Sequence, residues 1–438
     1  MNIQQKFRSH INYLMYVFSV QGRDSISIVI NLGIFIFSII LFMSEDSGFS
    51  SLYDINMSIV FIFVFSLFNI IWSVYERTVE IKNYLGISDN IFLENDMQFL
   101  EELKNIVPSR KEAINYFEKS IVNNEPIFMS RHLNKYLWDN KLNLIMSSNA
   151  EKSIKRLITK NKSHLIPVLG YQLRYSLANK KVFINEKKLC LSSDIDFKKQ
   201  EVVCHKGGYF DSFLTNEIST KLLQDHEEYI LFKGRELFPI NLKDRNNLTL
   251  YEITKARMNN HIGISTIGFT NDNYLIIWKQ NQRTQINSDL FVPTGSGSCD
   301  LKDLQSNDFN QVIINAMQRE LWEESGKDLL SKSYKDVGTT KILGFFRWIR
   351  RGGKPEFVGI TKLNISSHDM KPNCNEVVDT TFNRSEENEF YIANINEIPS
   401  VIDDIKRNKR LSIPLLICLD ALYHYYCERK DELEEFLF

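Results

Sequence analysis

The chain is expected to be a membrane protein: an N-terminal two-helix transmembrane hairpin, then a cytoplasmic α+β region ending in an α/β/α sandwich. Three observations lead there. Two uncharged apolar runs lie near the N-terminus, an acidic helix occupies Arg319 to Gly326, and strand-turn patterns surround that helix. The 438 residues suffice for two or three domains. They divide into 1–80, the hairpin; 81–235, a connecting region that is mainly helical and then α+β; and 236–438, the sandwich domain.

The first run, Ile26 to Met43, holds 18 residues without a charge, and the second runs from Met57 to Tyr75, again uncharged. A helix needs about 17–25 apolar residues to cross a bilayer core. No small-residue cleavage signal follows the first run, which argues against a signal peptide. Lys6, Arg8 and Arg23 precede the first run, and Arg77 and Lys82 follow the second. The link between the runs carries Glu45, Asp46 and Asp54 and no Lys or Arg. Basic flanks stay inside, so both termini are expected in the cytoplasm. Asn31 and Asn69 lie within the spans and call for hydrogen-bond partners.

The composition narrows the partners. A net charge of −1 argues against nonspecific nucleic-acid binding. The six cysteines, Cys190, Cys204, Cys299, Cys374, Cys418 and Cys427, form no C-x-x-C pair. They read as free cytoplasmic thiols.

In the connecting region, Phe99–Lys104 and Ser153–Ile158 read as helical, and Lys181–Asn185 and Glu201–Cys204 read as strands. The segment Lys206-Gly207-Gly208-Tyr209-Phe210-Asp211 reads as a hairpin turn with core aromatics, or alternatively as a loop that contacts a nucleobase. In the last domain, His261–Thr270 and Tyr274–Lys279 flank a turn at Asn271-Asp272-Asn273. A further strand pair is expected around Gly352-Gly353, and a closing helix over Ile413–Tyr426.

The helix before Gly326 carries the chemistry. Phe309, Val312, Ile313, Ala316, Met317 and Leu321 recur at helical spacing and define a packing face. Glu320, Glu323 and Glu324 stand at i, i+3 and i+4, so they share a face. Carboxylates crowded this way suit a hard divalent cation such as Mg²⁺. Arg319 and Glu323 form an i, i+4 pair, and Gly326 reads as the helix stop. Upstream, Thr294-Gly295-Ser296-Gly297-Ser298 reads as a tight loop after a strand end. Arg347, Arg350 and Arg351 form a basic group suited to phosphate oxygens. Glu356 is a candidate fourth carboxylate for the cation.

The string Arg319-Glu320-Leu321-Trp322-Glu323-Glu324-Ser325-Gly326 resembles the second half of the Nudix box. The first half departs from the pattern: Gln311 stands where the family has glutamate and Gln305 where it has glycine. The resemblance implies Mg²⁺-dependent hydrolysis of a nucleoside diphosphate derivative. Glu320, Glu323 and Glu324 would be the metal ligands, Glu323 or Glu324 the proton acceptor, and Arg319 the orienting residue. Gly295 and Gly297 would supply the backbone of the altered box, and Asp300 would take the place of the lost glutamate.

Two spans joined to such a domain look like the two-transmembrane Nudix effectors of bacterial cyclic-oligonucleotide anti-phage (CBASS) systems. That resemblance implies a homo-oligomer in the cell inner membrane. It implies a cyclic nucleotide second messenger as ligand, membrane lipid as target, and a CD-NTase nucleotidyltransferase as functional partner. The intact carboxylates keep a second expectation open, a membrane-tethered Nudix hydrolase. The two glutamines leave binding without turnover also consistent with the sequence.

Overall fold

The computed structural model describes residues 3–20, 31–37, 39, 53–109, 118–241, 248–279, 290–325, 333–370 and 389–438. Gly326, Cys374, Arg23, the acidic link at Glu45 and Asp46, and most of Ile26–Met43 lie outside them. The chain divides into two compact units.

The first unit comprises residues 1–94, 155–185 and 222–233. It contains helices α1 (Ile3–Val20), α2 (Tyr53–Asp89) and α3 (Lys162–Ala178). Along α2, Phe63, Ser66, Ile70, Ser73, Arg77, Glu80 and Tyr84 are the less exposed positions. Their alternating 3–4 spacing is one stripe of a helix. The opposite face shows large apolar groups, among them Phe61, Phe65, Phe68 and Trp72, each more than half exposed. Val60–Asp89 is the one helical stretch among the described residues long and apolar enough to cross a membrane, by length and composition. Of the first apolar run, residues 31–37 are helical. Phe35 stacks on Phe63 with ring centroids 4.6 Å apart. Lys181–Asn185, read as a strand, is irregular; Phe183 N–H is instead satisfied by Ser9 Oγ of α1.

The second unit comprises residues 95–154, 186–221 and 234–438. Much of the expected connecting region therefore clusters with the C-terminal residues. An eight-stranded mixed sheet forms its centre. Strands β1 (Glu118–Val122), β2 (Glu125–Met129), β6 (Gly263–Phe269), β7 (Tyr274–Ile276), β8 (Gly295–Ser298), β9 (Gly338–Trp348), β10 (Lys354–Leu363) and β11 (Glu389–Tyr391) compose it. The order is β11-β7-β6-β10-β9-β2-β1, with β8 pairing β6 off that path. β6 and β10 are parallel, Ile264 opposite Phe357; β9 and β10 are antiparallel. Their turn uses Gly352 at φ 65° and Gly353 at φ 71°, a backbone region that residues with a Cβ avoid.

Each face of this sheet is covered by a helix. On one side Phe309, Val312, Ile313 and Met317 of α4 (Phe309–Glu324) pack with Ile264, Phe345 and Phe357. On the other, Leu415, Cys418 and Leu422 of α5 (Ile413–Glu428) pack with Ile267, Val358 and Ile360. Phe357 and Val358 thus point to opposite cores, as strand alternation requires. Burial of these side chains is the main force holding the sandwich.

A smaller sheet, β3 (Asn143–Met146), β5 (Glu201–Gly208) and β4 (Lys187–Leu191), abuts the start of α4. Leu189 N–H donates to Cys299 O and Leu189 O accepts from Ile262 N–H, while Phe309 N–H donates to Leu142 O. β5 does not enter a hairpin turn at Gly207-Gly208. It runs into a one-turn helix, Tyr209–Phe213.

Candidate functional site

α4 begins at Asp308, whose carboxylate accepts Gln311 N–H at 3.3 Å, and ends at Ser325. Ser325 Oγ then donates to Thr294 O at 3.1 Å, tying the acidic end to the residue just before β8. The Gly/Ser run is not a loop. Gly295–Ser298 is β8, registered antiparallel on β6 with Gly295 opposite Thr266. A Cβ on Gly297 would overlap the Glu320 carboxylate, and one on Gly295 would overlap the Leu321 backbone. The two glycines therefore allow strand and helix to approach closely. The strand's amides then hold the acids: Ser296 N–H donates to Glu324 Oε2 at 2.9 Å and Ser298 N–H to Glu320 Oε1 at 3.3 Å.

Arg319 is the hub. Its Nε donates to Asp303 Oδ1 at 2.8 Å and its Nη2 to Asp303 Oδ2 at 2.9 Å, a bidentate fork. Nη1 donates to Glu320 Oε1 and Glu323 Oε2, both at 2.9 Å, and Nη2 also reaches Ser298 O at 2.9 Å. Five donor contacts match the five N–H groups of a guanidinium. These acceptors raise the Arg319 pKa against the opposing effect of its burial. Burial pushes the Glu320 carboxyl up to about 7, with Glu323 reinforcing and Arg319 opposing the shift. Lys302 Nζ lies 3.2 Å from Glu323 Oε1.

Asp303 was not singled out from the sequence. It lies 16 positions from Arg319, and its local signal is only an Asp-x-x-Asp cap, in which Asp303 Oδ2 accepts Asp300 N–H at 2.8 Å. Asp300, the residue offered in place of the missing glutamate, turns elsewhere: Lys188 Nζ lies 2.6 Å from its Oδ1, and Arg319 Nη2 is 3.8 Å from its Oδ2. The box glutamines are also engaged apart from the acids, Gln311 with Asn315 Oδ1 and Gln305 with Tyr334 Oη.

The basic group does not converge as a unit. Arg347 is fully buried, donating to the carbonyls of Gly353 at 3.1 Å and Tyr251 at 2.9 Å. Arg350 pairs with Glu125. Arg351 Nε donates to Glu217 Oε1 at 2.6 Å, and its Nη1 lies 3.7 Å from Glu356 Oε1. Glu356 is held by Lys354 as well as Arg351. Cys190, Cys204, Cys299 and Cys418 are free and buried, and Cys427 is free and exposed.

Among the described residues, no three His, Cys, Asp or Glu side chains stand in a metal-holding arrangement. The donor type nevertheless suits one: three carboxylates share one helix end.

No family model matches the chain, and no curated protein matches it. Three of the solved structures similar to it each cover 39% of the chain. They include the MutT protein from Methanosarcina mazei Go1, 12% identical over 96% of that chain with a TM-score of 0.25. DR0079 from Deinococcus radiodurans is 14% identical over 83% of its chain, TM-score 0.23. A bifunctional NMN adenylyltransferase/ADP ribose pyrophosphatase from Francisella tularensis, complexed with AMP and a Mn ion, is 14% identical over 41% of its chain, TM-score 0.24.

Proposed function

We propose that the C-terminal sandwich is a Nudix-type site that acts on the phosphoanhydride of a nucleoside diphosphate derivative. The observation that carries this is the Arg319 hub, which gathers Asp303, Glu320 and Glu323 at 2.8–2.9 Å beside the β8 amides. A bound divalent cation such as Mg²⁺ would neutralise charge on the phosphate oxygens. Glu320, Glu323 and Glu324 would hold that cation. Arg319 fixes the Glu320 and Glu323 carboxylates, and the Ser296 amide fixes Glu324. Glu323 or Glu324 would take the proton from an attacking water. Asp303 restrains Arg319 through two hydrogen bonds.

A second reading is supported by α2, whose aromatic face is exposed rather than buried. In it the chain is a membrane-anchored effector of a CBASS-like system. Binding of a cyclic nucleotide to the same domain favours an oligomer whose apolar helices, the two-span hairpin, disrupt the inner membrane. The two readings share the ligand chemistry and differ in output.

One experiment separates them. Full-length protein in liposomes is given Mg²⁺ with ADP-ribose or with cyclic dinucleotides and trinucleotides, and cleavage and dye leakage are followed together. Cleavage lost in Glu323→Gln/Glu324→Gln supports the hydrolase; leakage that persists in that variant supports the effector. Neither cleavage nor leakage with any of these nucleotides would overturn both.

A further inference from the structure

Outside the carboxylate site, a second set of buried polar groups has no assigned role. His261 is 3% exposed, and its Nδ1 has no hydrogen-bond partner. A buried polar atom left unpaired is costly. The neighbouring Asn260 Nδ2 is also unpaired, although Asn260 Oδ1 accepts from Asn216 Nδ2 at 3.0 Å. Most other polar groups here are satisfied. Asn259 Nδ2 donates to Gly208 O and Ser212 Oγ, and His205 bonds Ser192 Oγ and Asn259 Oδ1. The unpaired atoms are therefore exceptions within an otherwise complete network.

Three cations belong to the same neighbourhood: Arg351 and Lys354 both reach Glu356, and Leu189, next to Lys188, is bonded to Ile262, next to His261. Lys188 comes from β4, Arg351 from the β9–β10 turn and Lys354 from the start of β10. Lys354 is 2% exposed and Lys188 5%. Burying an ammonium group is expensive unless something anionic offsets it. Burial, then Lys354, Arg351 and Lys188, hold the His261 imidazole well below its ordinary pKa. Burial and Arg351 bring Lys354 down to about 8. The neutral imidazole keeps one N–H to donate, and the three cations around it are each paired with a carboxylate. Tyr209 supplies an aromatic ring whose centroid lies 6.4 Å from that of His261. Lys188 also acts on Glu320, which places it near both the box carboxylates and this group.

We propose that His261, Lys354, Arg351 and Lys188 form a phosphate-binding subsite, with Tyr209 beside it, for a second phosphate of a nucleotide held at the carboxylate helix. Glu356, Glu217 and Asp300 serve as internal counter-ions when the phosphate is absent. The His261 Nδ1–H donates to a phosphate oxygen, and the cations provide charge-assisted bonds. The class of the larger ligand rests on the Nudix-type reading; anion binding at the subsite does not.

The test is calorimetric titration of full-length protein in detergent, in EDTA, with pyrophosphate and AMP. Pyrophosphate should bind, and Lys354→Met and His261→Phe should each weaken it at least ~10-fold, the scale of one charge-assisted bond. Lys354→Arg should restore most of the loss, which separates lost charge from misfolding. AMP should compete with pyrophosphate better than glycerol 1-phosphate does; equal competition would overturn the nucleotide assignment in favour of any phosphomonoester. Absence of pyrophosphate binding in the wild type overturns the subsite. So does binding unchanged in both variants, or binding lost in Glu323→Gln/Glu324→Gln but kept in Lys354→Met. Failure of the Nudix-type reading shows separately, as absent Mg²⁺-dependent cleavage with EDTA-phase phosphate binding intact.

Discussion

Helices α2 and α4 treat their side chains in opposite ways. α4 hides its charges: Arg319 is 3% exposed and finds acceptors for its whole guanidinium. α2 hides little of what is apolar: Phe61 is 70% exposed and Phe65 and Phe68 57% each. In water, the first arrangement is affordable only with complete pairing, and the second is unfavourable over so large a contiguous face. α4 carries a paired polar cluster, and α2 belongs to a stretch long and apolar enough to cross a membrane, by length and composition.

The largest effect should come from the hub. Asp303→Ala removes both hydrogen bonds of a buried bidentate pair and leaves Arg319 partly uncompensated. A loss of about 3–5 kcal/mol in stability is expected by denaturant titration. An unchanged midpoint would show that Arg319 is not anchored there.

The next effect is a pH dependence. The folded Glu320 pKa is raised from 4.5 to about 7, mainly by burial. Its stabilising contribution is full below the unfolded value and is lost as pH rises through the folded one. From about pH 4.5 to 7 this group should therefore cost up to about 3 kcal/mol. Glu320→Gln should flatten that slope, and Mg²⁺ should recover stability at pH 7 in the wild type. A slope identical in wild type and variant would show that Glu320 is ionised at little cost.

For α2 the comparable change is Phe65→Asp. A carboxylate at mid-membrane costs about 2.5–3.5 kcal/mol. The variant should shift from the membrane pellet toward the soluble or aggregated fraction on sedimentation. Retention equal to wild type would argue that this face meets protein.

Gly297→Ala should have the smallest effect. Its Cβ falls on the Glu320 carboxylate, and overpacking of this kind costs about 1–3 kcal/mol. Any cleavage activity should fall more than stability, because the carboxylate itself is displaced. Wild-type activity in this variant would remove β8 from the site.

Much of the site could be read from sequence because its geometry is local. Arg319, Glu320, Glu323 and Glu324 share one helix end by spacing alone, and Asp308 is a helix cap of ordinary type. Asp303 was hidden because its partner is distant and an Asp in a short polar segment is unremarkable. In sequence the Gly/Ser run reads as a loop because those residues have poor strand propensity. β8 forms them into a strand because only glycine lets the sheet approach α4 so closely. Arg347, Arg350 and Arg351 appeared as one group, but the end of β9 and the turn after it send their side chains to different partners. β1 and β2 gave no sign of joining the C-terminal sheet: Phe346 pairs with Met129 across more than 200 positions.

Sequence alone determined the helical periodicities, the carboxylate triplet and the uncharged apolar runs, because each depends on residues a few positions apart. Tertiary structure decided which charges pair, which glycines matter, and that residues 95–154 and 186–221 belong with the C-terminal unit. Those outcomes depend on long-range strand pairing and on the cost of burying charge, and neither leaves a local pattern in the chain.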